Sequence, residues 1–250
     1  MAGPAPARRK GRPVGFKPLL MRSIEMLDEP QPYSRALFER LGLRGLNVGS
    51  GKSMHAGCVN VDNRPIEDGS GNATEPDRLA LIDGEVYYLD QDARDPYPFE
   101  DGCLEWAYSG HLIEHMSFAD AVSLLGELRR LVKPGGLIRI STPSLRRYVE
   151  GYLDPDKEFY EEHRRRLSEL PVFAERGVPE RPGWMLNQVF RLWDHKFIFD
   201  FEELREAAEL AGFDPQGVAE ASFRQGRVPE VAALDTEGRD DVSLYVEITR

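Results

Sequence analysis

A chain of 250 residues, 41% of them apolar, is long enough to bury the core of one α/β domain, and with two cysteines it is too poor in cysteine for a disulfide scaffold. Its formal net charge of −11 opposes binding to nucleic-acid backbones and anionic membranes, and no apolar run reaches signal or membrane length. The charge is uneven: Arg8, Arg9, Lys10, Arg12, Lys17 and Arg22 all precede the first acidic residue, so the body is more acidic than the average.

Residues 1–30 read as a basic, Pro/Ala-rich solubilising tail, in which RRKGRPVG holds a single copy of the Gly-Arg-Pro core of an AT-hook. The remainder, 31–250, reads as one domain. A helix is expected over 34–41, followed by strands at 46–48, 58–62, 85–90 and 103–109. Cys58 and Cys103 both fall in apparent buried strands, which suits a reducing cytoplasm. After Ser117, the apolar positions Ala121, Leu124, Leu125, Leu128 and Leu131 follow one buried helix face, and Pro134-Gly135 predicts a turn into a fifth strand, 137–141. Residues 144–196 are irregular, charged and aromatic, and read as an inserted cap. Asp200 and Glu203 have capping-box spacing for a helix ending at Gly212, and 217–223 and 242–250 read as two last strands, the final one an antiparallel edge. The fold class is α/β: a Rossmann-like, seven-stranded, mostly parallel sheet with early crossover helices, an antiparallel last strand and an inserted cap.

Glycines after the first strand of such a sheet point to a nucleotide-type ligand at the carboxyl ends of the strands. The loop Gly49-Ser50-Gly51-Lys52-Ser53-Met54 lacks the third glycine of a dinucleotide fingerprint, and only ten residues separate Gly51 from Asp62, too few for a long pyrophosphate-binding helix. GKS occurs at 51–53 without the rest of a Walker motif. Asp62 closes one strand, where a carboxylate can accept both hydroxyls of a ribose. Asp90 and Asp92 follow the next, where one can accept an exocyclic amine. Together they favour an adenosine without a diphosphate.

The text PFEDGCLEWAYSGHLIEH, residues 98–115, stands in register with PFPDNSFDVIYSSHVLEH of the class I S-adenosylmethionine-dependent methyltransferases of the type 11 kind. RLVKPGGLIRISTP, 130–143, and HKFIFDFEELREAAELAGF, 195–213, resemble two further motifs of that family in the same order. The resemblance spans about 46–213 apart from much of the cap, and implies S-adenosyl-L-methionine as cofactor. It further implies that Gly49, Ser50 and Gly51 sit against the methionine part, that Asp62 binds the ribose, and that Asp92 with the Ala93 amide binds adenine. Ser109 to His111 would line the reactive end. Asn47 stands where the family has an acid, which removes a charge from the ammonium site, and Asp90 competes with Asp92 for the adenine role.

His111-Leu-Ile-Glu114-His115 also spells HxxEH, a metallopeptidase string, yet it falls where the family writes SHVLEH and no third ligand is announced by spacing; no metal is expected. Methyl transfer from a sulfonium needs alignment above all, and a base only if the acceptor is a hydroxyl or an ammonium. His111 and His195 are the candidate catalytic residues. Tyr152, Trp184 and Trp193 of the cap are the candidate substrate-binding residues. The expected partner is a small-molecule methyl acceptor such as a sugar, glycan precursor or secondary metabolite, with neither nucleic acid nor membrane; the oligomeric state, a homodimer included, is open. Aminocarboxypropyl chemistry with the same cofactor, a non-catalytic binding module and a zinc hydrolase are the competing readings.

Overall fold

The computed structural model describes residues 20–21, 23–154, 156, 158–169, 173, 177–178, 180–191 and 193–250. The AT-hook-like segment lies outside them. In chain order the elements are β1 (Leu20–Met21), β2 (Ile24–Met26), α1 (Arg35–Leu41), β3 (Gly45–Val48), β4 (Cys58–Asp62), β5 (Glu67–Asp68), β6 (Leu79–Ile82), β7 (Val86–Asp90) and β8 (Leu104–Gly110). Then come α2 (Phe118–Leu131), β9 (Val132–Pro143), α3 (Leu145–Leu153), α4 (Glu158–Ser168), α5 (Pro182–Arg191), α6 (Phe201–Leu210), β10 (Val218–Ala221), α7 (Pro229–Ala232) and β11 (Ser243–Thr249).

Nine strands form one sheet in the order β10-β11-β9-β8-β3-β4-β7-β6-β2, while β1 and β5 pair separately. The centre, β9-β8-β3-β4-β7, is parallel. Two expectations are corrected here. β11 is antiparallel but is not the edge, because β10 pairs along its outer side. Among the described residues the sheet has nine strands, not seven, because β6 and β2 extend it antiparallel beyond β7, and β2 falls within the span read as tail.

The five apolar positions of α2 are all buried, and they share one core with Leu37 and Phe38 of α1 and Leu204, Ala207 and Ala208 of α6. α2 and α6 begin with capping boxes, at Ser117 with Asp120 and at Asp200 with Glu203, which satisfy backbone N–H groups that the first turn leaves open. The turn expected at Pro134-Gly135 is a bulge within β9: Leu104 lies opposite Val132, and Trp106 opposite Leu137.

No helix connects β3 to β4. Residues 49–57 make the crossing, fewer than the dozen or so that a helical crossover takes. Two buried asparagines fix the path instead. Asn47 Nδ2 donates to Ser53 O (2.8 Å) and to Asn60 Oδ1 (3.0 Å), which also accepts from His55 N (2.8 Å). Asn60 Nδ2 donates to His55 O (2.9 Å) and Tyr87 O (3.0 Å). Such satisfied amides stabilise the loop, because an unpaired buried amide costs about 1–3 kcal/mol.

α3, α4 and α5 form the region between β9 and α6 and have their own core of Tyr148, Tyr160, Leu167, Phe173, Met185 and Val189.

Candidate functional site

The carboxyl ends of β3, β4, β7 and β8 open into a cavity of about 600 Å³. After β3 the chain turns sharply at Gly49 (φ 70°) and Gly51 (φ 55°), both in the left-handed region. A Cβ on Gly49 would stand 3.0 Å from Leu112, whereas one on Gly51 would meet nothing. Gly51 N donates to Asp62 Oδ2 (2.9 Å), and Asp62 Oδ1 lies 3.5 Å from Arg64 Nε. After β7, Arg94 grips Asp92 with Nε on Oδ1 (2.9 Å) and Nη2 on Oδ2 (2.5 Å). Buried Gln91 fixes that turn by donating to Asp95 O and Pro96 O.

At the end of β8, His111 has a positive φ of 51°, rare for a side-chain-bearing residue and a sign that its surroundings over-determine it. Ser243 Oγ donates its only proton to Arg239 O (2.6 Å), so His111 Nε2, 2.7 Å away, donates to Ser243. His111 Nδ1 then faces Glu114 Oε1 at 3.3 Å. Glu114 is fully buried, and its Oε2 accepts from Thr142 Oγ1 (3.0 Å). Burial opposes its charge, but the imidazole of His111, helped by His115, outweighs that and holds Glu114 below the usual carboxylate range.

Lys196 N and Phe197 N both donate to Glu114 O (2.8 and 3.2 Å), which brings the return from the cap against the HxxEH turn. His195 Nδ1 donates to Val189 O (2.5 Å), and its ring meets His115 edge-on with centroids 4.8 Å apart. Burial pushes His195 below the ordinary imidazole range, against the Val189 carbonyl and the Glu114 charge, which pull it up. Glu114, His115 and His195 each offer a ligand atom, all within 4.8 Å of one another. His195 is thus a third donor that sequence spacing did not announce.

Of the residues singled out in the sequence, Asn47, Gly49, Ser50, Gly51, Asp62, Asp92, Ala93 and His111 line this cavity. Ser109 is buried beside it, and His195 lies behind His115. The cap aromatics do not line it. Tyr152 and Trp193 are 48% and 38% exposed, and Trp184 packs on Phe173 within the cap core. In the Arg164–Arg166 run, Arg165 and Arg166 both pair with Glu162 of the same helix, Arg164 pairs with Glu180, and Arg166 also reaches Asp240 and Asp241.

Sequence reasoning missed the cavity's other wall. Leu234, Thr236 and Arg239 lie between α7 and β11, in a polar stretch with neither helical nor strand periodicity. They are held by Arg139, which is buried in β9 and donates through Nε and Nη2 to Asp235 (2.9 and 2.6 Å) and through Nη1 to Glu247 (2.8 Å). Lys52, Arg64, Arg94 and Lys196 were also missed; only their place in the fold marks them.

Residues 46–140 match the family model of a methyltransferase domain. No curated protein matches the chain. Among solved structures it is similar to an S-adenosylmethionine-dependent methyltransferase of Archaeoglobus fulgidus (16% identity over 86% of this chain and 92% of that one, TM-score 0.42). It is also similar to one from Mesorhizobium loti (14%, 84% and 91%, TM-score 0.44) and to geranyl diphosphate C-methyltransferase of Streptomyces coelicolor (16%, 85% and 75%, TM-score 0.41). The sheet order and the glycine turn agree with the domain match: residues 46–140 carry a methyltransferase domain of the S-adenosyl-L-methionine-dependent kind.

Proposed function

We propose that the chain methylates a small-molecule acceptor in the cavity at the carboxyl ends of β3, β4, β7 and β8. The carrying observation is the convergence there of the Gly49–Gly51 turn, Asp62, Asp92 and the His111 turn. The residues fit the cofactor. Ser50 and Ser109 each present a buried hydroxyl with no partner among the described residues, and the space beside Gly51 is open. In this reading Gly49, Ser50 and Gly51 flank the methionine part, Asp62 holds the ribose hydroxyls, and Asp92 with the Ala93 amide holds adenine. Asn47 contributes no charge, since its amide is committed to the β3–β4 crossing.

When bound, the cofactor supplies an electrophilic methyl group on a sulfonium. The chain's own task is alignment, worth up to about 7–11 kcal/mol in favourable cases. His111 holds the rim: its two ring nitrogens face Ser243 and Glu114, so accepting a proton from an acceptor requires it to release one of them. His115 lines the cavity, and His195 behind it is favoured in the neutral form by burial; together they offer a place for a proton from a hydroxyl or ammonium acceptor.

Isothermal titration with S-adenosylhomocysteine tests the reading. Micromolar binding that weakens at least about tenfold in Asp62→Ala is expected. A folded protein that gives no binding heat overturns it.

A further inference from the structure

The chain carries a net charge of −11, yet its large cavity is lined by five cations, Lys52, Arg64, Arg94, Lys196 and Arg239, against two carboxylates, Asp62 and Asp92. Arg64 and Arg94 are paired with those two acids. Lys52, Lys196 and Arg239 have no carboxylate within ion-pair distance among the described residues. Several exposed arginines elsewhere do: Arg40 pairs with Glu29, Arg44 with Glu105 and Arg224 with Glu237.

The acids nearest Arg239 in sequence are drawn away from it. Arg166 Nη1 takes the carboxylates of Asp240 (2.9 Å) and Asp241 (3.2 Å), and Arg147 Nη1 takes their carbonyls (3.1 and 2.5 Å). Both cations also hang from anchored backbone. Lys196 N donates to Glu114 O, and Arg239 O accepts from Ser243 Oγ, which in turn accepts from His111. The backbones of two cavity-lining cations from distant segments are therefore anchored to the HxxEH turn, Lys196 directly and Arg239 through Ser243, and neither side chain has a counter-ion among the described residues.

We propose that the methyl acceptor is anionic, and that Lys196 and Arg239 hold its carboxylate or phosphate group. This rests on the methyl-transfer reading above. A guanidinium presents a planar fork that matches either oxyanion, and an ammonium adds a point charge. A cationic cleft in an acidic protein also concentrates anions that the rest of the surface repels.

The test is titration of the S-adenosylhomocysteine-saturated protein with inorganic phosphate and, separately, with succinate. At least one binds, and the Lys196→Ala/Arg239→Ala double variant weakens it about tenfold or more while S-adenosylhomocysteine affinity stays unchanged. Which probe binds separates a phosphate-bearing acceptor from a carboxylate-bearing one. The charge-conserving pair Lys196→Arg/Arg239→Lys retains most of the binding. The proposal is overturned if neither anion binds the saturated protein, or if the alanine variant binds them as before. It is equally overturned if that variant loses S-adenosylhomocysteine, which assigns the two cations to the cofactor's own carboxylate. A folded wild type that does not bind S-adenosylhomocysteine removes the methyl-transfer reading and this proposal with it.

Discussion

Arg139 and Asp235 meet through two parallel hydrogen bonds, of 2.9 and 2.6 Å, with neither side chain exposed to solvent. Asp235 immediately precedes Thr236 on the cavity wall, so a charge pair in the core sets where that wall stands. Removing one partner leaves a buried charge short of its counter-ion, a loss of about 3–5 kcal/mol. Asp235→Asn is expected to lower the melting temperature by roughly 10 °C, because about 1 kcal/mol corresponds to 2–4 °C in a chain of this size. A melting curve superimposable on wild type disproves the role.

The two cavity glycines separate strain from space. Both have positive φ, so alanine at either costs about 1–2 kcal/mol of backbone strain. Only at Gly49 does the added methyl also press on Leu112, at 3.0 Å. Gly49→Ala is therefore expected to melt several degrees below Gly51→Ala, since each kcal/mol is worth about 2–4 °C. Equal melting temperatures for the two variants contradict this.

The pH dependence follows from the imidazoles. His195 and His55 are both pushed below the ordinary value of 6.5, by burial first in each case. The unfolded chain then binds more protons than the folded one, so stability is full above 6.5 and is lost as pH falls below it. The melting temperature is expected to decline from pH 7 to 5.5 or so, and less steeply in His195→Asn, whose amide can still donate to Val189 O. An identical slope in that variant assigns the decline elsewhere.

The Glu114, His115 and His195 group gives a metal prediction. Zinc bonds of about 2.0–2.1 Å set tetrahedral donors about 3.4 Å apart, and the three donors here lie within 4.8 Å of one another. Both Glu114 oxygens already face protein groups, Thr142 and His111. Chelator-treated protein is expected to bind S-adenosylhomocysteine as before. Stoichiometric zinc in untreated protein, lost in His115→Ala, contradicts this.

The central sheet was legible because its parallel strands are continuous apolar runs, and α2 because its apolar residues repeat at helical spacing. The β6–β7 hairpin was written in the sequence too: Asp83-Gly84, at φ 54° and 71°, is a hairpin turn between two apolar runs. β2, at three residues, is too short for any period to show. At the site, the glycine turn and strand-end acids announce themselves locally. The wall at 234–239 does not, because Asp235 is placed by an arginine 96 residues away.

The bond between His111 and Ser243 joins residues 132 positions apart. A chain growing on the ribosome makes the glycine turn and both strand-end acids long before it makes Ser243. Until β11 emerges, the HxxEH turn lacks its outer anchor, and the cavity lacks the wall that carries Arg239. The pocket is therefore among the last parts of the fold to form during synthesis, and a nascent chain able to present the glycine turn has no finished cavity to go with it.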